Sequence, residues 1–376
     1  MRNQTAISNK IPRRRRLLYV VLIYAVFLIL LLSIELIVRV VFPRVESIEL
    51  FVATPQQQMQ VANPQQSSIF EGDPLLLWRL KPNLDHAIWD FTVVSTNAQH
   101  FRADYPIGAK PAGTFRVICL GDSVTFGYRV PPVWPERPKD YDPEWQPFPM
   151  LLEKELRKAN PNRQIEVFPM AVPGYTTHQG LAWLRRDIDY LQPDMVIASF
   201  GWNDASVSDV PDRQAIDTRW FPVTIRRLID NSQAFAHATR WLRSRSKPAA
   251  QVTSPVPRVS EAEYVNNFNE IVNLARSRRA SVIVIGAPYR DSTTNPPEAQ
   301  LMTRYRASLK AAMQQSQTPY LEILELTEAA GSVNQGFFGE LIHPNHIGHR
   351  LMASELLKLM AQQHLLGDLN VPDFVP

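Results

Sequence analysis

Cysteine occurs once in these 376 residues, as Cys119, so no intramolecular disulfide can hold the fold. That scarcity is compatible with either side of a membrane. Within Val117-Ile118-Cys119-Leu120 the thiol reads as a small buried hydrophobe rather than a reactive group. Glycine is sparse, 14 residues against 31 prolines, which points to long, stiffened loops. Acidic side chains are missing from residues 1–16, where Arg2, Lys10, Arg13, Arg14, Arg15 and Arg16 lie. Setting those six aside leaves 34 of the 40 Lys and Arg against 36 Asp and Glu, so the net charge of +4 is a topology signal. A basic nucleic-acid-binding surface is thereby excluded. No internal repeat is visible. With 45% hydrophobic and 20% charged residues the chain has the composition of a folded protein, long enough for one sizeable domain with appendages.

Residues 17–34 hold no charge and are apolar apart from Ser33. Glu35 and Arg39 follow four residues apart, as on a continuing helix. At 1.5 Å per residue, residues 17–36 span about 30 Å, the thickness of a hydrocarbon core. A cleaved signal peptide has a shorter apolar run and a small-residue cleavage site, whereas Val38-Arg39-Val40-Val41-Phe42 follows here. The expectation is a basic cytoplasmic tail over 1–16, a transmembrane anchor over 17–42 and an extracytoplasmic remainder. Such a chain would sit in a bacterial inner membrane with its main domain periplasmic. Residues 43–68 read as a linker, polar and Gln-rich over 54–68. Residues 69–113 read as an extension, β-rich or irregular, packed on the main domain.

From residue 114 the pattern alternates. Strands are expected at 115–120, 165–168, 195–200, 281–287 and 320–324. Helices are expected from Pro149, over 181–191, 222–245 and 298–314, and after Asn345. A further helix starts at Ser260, whose spacing to Glu263 is that of a capping box, and carries Tyr264, Phe268, Ile271 and Leu274. This rhythm predicts right-handed βαβ crossovers and a parallel sheet covered on both faces, a three-layer α/β, flavodoxin-like architecture behind one membrane helix. The main domain spans 114–366, with an insertion at 205–258 and a tail at 367–376.

In such sheets ligands bind beyond the carboxyl ends of the strands, and distinctive residues cluster there. Gly121-Asp122-Ser123 follows the first strand, and Ala171-Val172-Pro173-Gly174-Tyr175 the second. Gly201-Trp202-Asn203-Asp204 follows the third, and His343-Pro344-Asn345 precedes the last helix. A serine hydroxyl needs a base within hydrogen-bond reach to act as a nucleophile, and imidazole suits proton shuttling near neutral pH. Taken singly each stretch has a plain structural explanation. Ser123 can cap a helix, Gly174 can make a turn, Asp122, Asn203 and Asp204 can form Asx turns, and His343 can lie on a surface loop.

Together, the four stretches resemble the SGNH/GDSL hydrolase family in type, order and context over roughly residues 69–362. The resemblance implies ester hydrolysis without a cofactor, with Ser123 as nucleophile and His343 as base. It also implies an oxyanion hole made of the Ser123 and Gly174 backbone N–H groups and the Asn203 side chain. The family usually has aspartate three residues before the histidine; here Glu340 stands there. Asp122 and Asp204 are assigned structural turns.

At about 100° per residue, His343, His346 and His349 step by about 300° each, so first and last stand about 240° apart on a helix and no metal site is expected. Trp134, Tyr141 and Trp145 lie in a proline-rich loop where they either pack or stack on a sugar ring. Arg240, Arg243, Arg245 and Lys247 read as a solvated helix end, with an anionic glycan or lipid as the minority reading. The expected substrate is a glycan or lipid ester, and no nucleic-acid partner is expected. Two rivals use the same fold: an O-acyltransferase to an envelope glycan, and an inactive glycan-binding or scaffold protein.

Overall fold

The computed structural model describes residues 13–43, 69–73, 75–132, 142, 144–208, 211–217, 232–245, 256–288, 297–325, 336–339, 342–372 and 374. Trp134, Tyr141, Lys247 and Glu340 lie outside them.

A parallel sheet organises the domain. Its strands are β5 (Thr114–Gly121), β6 (Gln164–Ala171), β7 (Met195–Phe200), β10 (Ser281–Gly286) and β11 (Tyr320–Glu322), in the spatial order β11-β10-β7-β5-β6. Successive side chains of a strand face opposite sides, and here both sides are apolar. Val117 and Cys119 join one hydrophobic cluster while Ile118 and Leu120 join the other. This accounts for continuous apolar runs in place of alternation. Helices α3 (Phe148–Ala159) and α10 (His346–Gln362) cover the first face through Leu152, Leu156, Met352, Leu356 and Met360. Helices α4 (Thr177–Leu191), α8 (Glu261–Ser277) and α9 (Pro297–Gln315) cover the second through Leu184, Ile188, Phe268, Ile271 and Met302. Three layers result, as expected.

Element ends follow local chemistry. The Ser260 capping box forms with Glu263 at the start of α8. A Cβ at Gly180 would stand 2.2 Å from the Phe200 ring, so only glycine lets α4 approach the sheet this closely. The strand expected over 320–324 is shorter, because the Leu324 N–H turns to the Glu322 side chain at 3.3 Å.

Ahead of the sheet, residues 69–113 form two antiparallel hairpins. The first pairs β1 (Phe70–Asp73) with β2 (Leu77–Leu80), and the second pairs β3 (Ala87–Trp89) with β4 (Thr92–Val94). Ile69, Phe70, Trp78 and Trp89 are buried in the second-face cluster. A two-residue ribbon, β8 (Val207–Ser208) with β9 (Val256–Pro257), closes the neck of the insertion. Between them lie α6 (Asp212–Asp217) and α7 (Gln233–Arg245). Of the helix expected over 222–245, residues 222–231 fall outside the described set. The N-terminal helix α1 (Arg13–Val41) is exposed, and its segment Arg14–Val41, which holds an 18-residue window of mean hydropathy 3.0, is long and apolar enough to cross a membrane.

Candidate active site

Strand β5 sits between β6 and β7, so the chain leaves it first to one side and later to the other. That reversal opens a crevice at the strand's carboxyl end. There Asp122 caps a one-turn helix, α2 (Ser123–Phe126), accepting the Val124 N–H at 2.9 Å. Ser123 is therefore the first residue of the turn. The Gly127 N–H and the Tyr128 N–H, both at 3.0 Å, bind its carbonyl.

His343 arrives from the opposite end of the chain. Asn345 caps α10, accepting from the Ile347 and Gly348 N–H groups at 2.9 and 3.0 Å. The Gly339 N–H donates to the His343 carbonyl, and the Asn345 N–H to that of Phe337, pinning the loop. The outcome is a Ser123 Oγ to His343 Nε2 distance of 2.8 Å across 220 positions of sequence.

Gly174 and Asn203, the latter in the one-turn helix α5 (Trp202–Ala205), line the same cavity, about 350 Å³, together with Trp89, Asp90, Tyr128, Pro173, Trp202 and Ile342. Gly174 has φ of 84°, a left-handed conformation that glycine adopts without a Cβ penalty. Its loop is braced on three sides. The Trp78 indole donates to the Pro173 carbonyl at 3.2 Å, the Tyr175 hydroxyl donates to the Trp78 carbonyl, and Arg258 donates to the Gly174 carbonyl at 2.8 Å. Arg258 also makes a two-point pair with Asp212, at 3.0 and 2.8 Å, and Asp212 takes the Thr176 hydroxyl at 2.8 Å. The Asn203 amide donates to the Tyr175 carbonyl at 3.1 Å, with Asp122 Oδ2 at 3.4 Å. Of the predicted site residues, Ser123, Gly174, Asn203 and His343 share one cavity, and Glu340 lies outside the described residues.

Burial shapes the acids beneath the site. Desolvation raises the Asp122 carboxyl to about 7 against the hydrogen bonds it accepts, and raises Asp204 to about 8. Asp204 corrects an expectation. Instead of a local Asx turn it reaches across to the start of α4, taking the Thr177 N–H at 3.0 Å and the Thr177 hydroxyl at 2.5 Å. The three spaced histidines go separate ways. His346 stacks on Trp145 with ring centroids 3.9 Å apart, which occupies that tryptophan outside the lining of the cavity. His349 is fully buried, accepts the Phe148 N–H at 3.2 Å, and is pushed down to about 3 by desolvation. Burial likewise pushes the Cys119 thiol up.

Several lining residues were not legible beforehand. The Tyr128 ring lies 4.2 Å from the His343 ring, centroid to centroid, and its hydroxyl donates to Asp90, which also faces Arg129 at 3.3 Å. Asp90 comes from the turn of the second hairpin, so residues outside the sheet build one wall. The lone charge in Val256-Pro257-Arg258-Val259 was a usable signal for Arg258; Asp90 and Tyr128 carried none.

A family model described as GDSL-like lipase/acylhydrolase matches residues 119–351. No curated protein matches the chain. Among solved structures, a lipase/acylhydrolase from Enterococcus faecalis is 18% identical, with a TM-score of 0.43 over 69% of this chain and 99% of the other. An acetylxylan esterase from Geobacillus stearothermophilus, in a mutant form, is 15% identical, with a TM-score of 0.43 over 65% of this chain and 94% of the other. An alpha/beta hydrolase enzyme from the metagenome of Lake Arreo, Spain, is 16% identical, with a TM-score of 0.43 over 66% of this chain and 95% of the other.

Proposed function

We propose, from the premise that this chain belongs to the GDSL-like lipase/acylhydrolase family of ester-bond hydrolases, that Ser123 and His343 carry its acyl transfer outside the cytoplasm. The observation behind this reading is the 2.8 Å contact between Ser123 Oγ and His343 Nε2. Ser123 Oγ attacks the ester carbonyl while His343 Nε2 takes its proton. The carbonyl oxygen becomes an oxyanion facing the Ser123 N–H, the Gly174 N–H and the Asn203 amide. The C–O bond to the alcohol then breaks, and His343 returns the proton to the leaving oxygen. Water, deprotonated by the same imidazole, cleaves the acyl-serine and regenerates the hydroxyl. Glu340, three residues before His343, is the proposed carboxylate partner of the imidazole. The chemistry requires no metal or cofactor.

The N-terminal helix is proposed as an uncleaved single-pass anchor, with Arg13–Arg16 cytoplasmic and the domain periplasmic. An anchored esterase at that surface suits O-acetyl groups of an envelope polysaccharide, or a lipid ester.

The test is labelling of the full chain in detergent by a fluorophosphonate, alongside release of acetate from an acetylated glycan. Wild type should label and hydrolyse, and Ser123→Ala should lose labelling and at least about 10⁴-fold of activity. A Ser123→Ala chain that behaves like wild type would falsify this mechanism.

A further inference from the structure

Helix α7, inside the insertion, packs against α1. The junction is specific. Glu35 is the first charge after the uncharged stretch 17–34, and it accepts the Gln233 N–H at 2.8 Å, the Ala234 N–H at 3.0 Å and the Ser232 hydroxyl at 2.7 Å. It thereby serves as the N-terminal cap of a helix some 200 residues away. Further along, the Phe42 and His237 rings meet at 5.3 Å, and His237 Nε2 lies 3.0 Å from the Pro43 carbonyl.

What α7 turns outward is apolar. Ala236 is fully buried, whereas Phe235 is 45% and Trp241 53% exposed. At about 100° per residue, positions 235, 238, 241 and 242 fall in one apolar sector opposite Ala236, which Arg245 joins at the last residue of α7. Beside them, Leu36, Ile37, Val40 and Val41 of the first helix, and Phe42 just after it, are exposed too, so one apolar surface runs from α1 onto α7. Residues 231–260 contain no acid, and Arg240, Arg243 and Arg245 lie in α7.

We propose that α7 is an interfacial helix that seats the catalytic domain on the bilayer, with Phe235 and Trp241 in the headgroup layer and anionic lipid as the preferred partner. The proposal rests on reading α1 as a membrane span. On that reading Glu35 marks the edge of the hydrocarbon core, which fixes the depth of the α7 first turn, Phe235 included. Trp241 lies six residues on, at most about 9 Å further, at the level where interfacial tryptophans anchor membrane proteins. Basic residues on such a helix favour anionic headgroups. Each end of the same insertion carries one member of the Asp212–Arg258 pair that braces Gly174. The segment that sets the height of the domain therefore also abuts its site.

The test uses the full chain in proteoliposomes. Single thiols are introduced by Phe235→Cys, Trp241→Cys or Tyr190→Cys, the last on an exposed position of α4. Each is labelled with an environment-sensitive fluorophore, and lipid-borne nitroxide at headgroup depth is the quencher. The unsubstituted chain, whose Cys119 is buried, sets the background. Quenching at 235 and 241 should exceed that at 190 several-fold, and should rise when phosphatidylglycerol replaces phosphatidylcholine. Quenching no greater than at 190, in a chain that resists carbonate extraction, overturns the seat and leaves the anchor standing. Extraction by carbonate overturns the anchor itself, and equal quenching in both lipids overturns the preference for charge.

Discussion

The Arg258 guanidinium donates to the carbonyl oxygen of Gly174 at 2.8 Å while holding both carboxylate oxygens of Asp212. Both charged groups are buried, at 3% and 0% exposure. Such a pair is costly to break from one side, because the remaining charge keeps its desolvation cost without its partner. Here the pair also fixes the loop that presents the proposed Gly174 N–H.

Arg258→Lys keeps the charge and loses the fork. It should lower the thermal midpoint and reduce kcat by about 10- to 100-fold with little change in KM, because misplacement of a preorganised donor acts on the transition state. Arg258→Met should lose about 3–5 kcal/mol of stability. Steady-state kinetics and thermal unfolding of the detergent-solubilised chain measure both. A Lys variant with wild-type kcat would remove Arg258 from the positioning of the site.

Asn203 already spends its amide on the Tyr175 carbonyl at 3.1 Å, with Asp122 Oδ2 further off at 3.4 Å. The longer contact is the one an oxyanion would displace. Asn203→Ala should therefore lower kcat about 10²- to 10³-fold and leave KM nearly unchanged, the signature of a donor used only in the transition state. Equal losses in kcat and gains in KM would instead assign Asn203 to ground-state binding.

Asp122 makes stability depend on pH. Its carboxyl is raised to about 7 by burial, while in the unfolded chain it titrates near the ordinary aspartate value of about 3.9. Between those limits the folded chain holds a proton that the unfolded chain has released, so stability falls as pH rises through the window. Asp204, raised to about 8, acts in the same direction. Asp122→Asn keeps an oxygen for the Val124 N–H and removes the charge. Its thermal midpoint relative to wild type should thus climb from pH 5 to pH 8. A constant difference across that range would show that Asp122 stays ionised throughout.

How much of this was legible depended on how local the cause was. The strands at 115–120 and 195–200 could be read because a strand buried on both faces needs apolar residues on both sides, and Val117 to Leu120 of β5 and every residue of β7 but Ser199 supply them. Ser123, Gly174, Asn203 and His343 could be singled out because each lies beside an element end, in four stretches whose order together resembles one family. Asp204 was misjudged because its partner, Thr177, is 27 residues away and reached only through packing of α4 on the sheet. Asp90 and Tyr128 meet across 38 residues for the same reason. Nothing in a hairpin turn announces that it will wall a cavity.

Tyr128 yields the sharpest separation of roles at the site. Its ring packs on the His343 imidazole at 4.2 Å, and its hydroxyl binds Asp90 at the rim. If the ring sets the imidazole plane, Tyr128→Phe should retain most of kcat, because the apolar contact survives and only an exchangeable hydrogen bond is lost. Tyr128→Ala should let the imidazole tilt away from Ser123 Oγ and lower kcat by about 10- to 100-fold, since alignment of nucleophile and base is what the contact protects. Asp90→Asn should track Tyr128→Phe rather than Tyr128→Ala. Single-turnover acylation by a chromogenic ester reads the three variants directly. Should Tyr128→Phe fall as far as Tyr128→Ala, the hydroxyl, through Asp90, is the element that matters, and the ring contact is incidental.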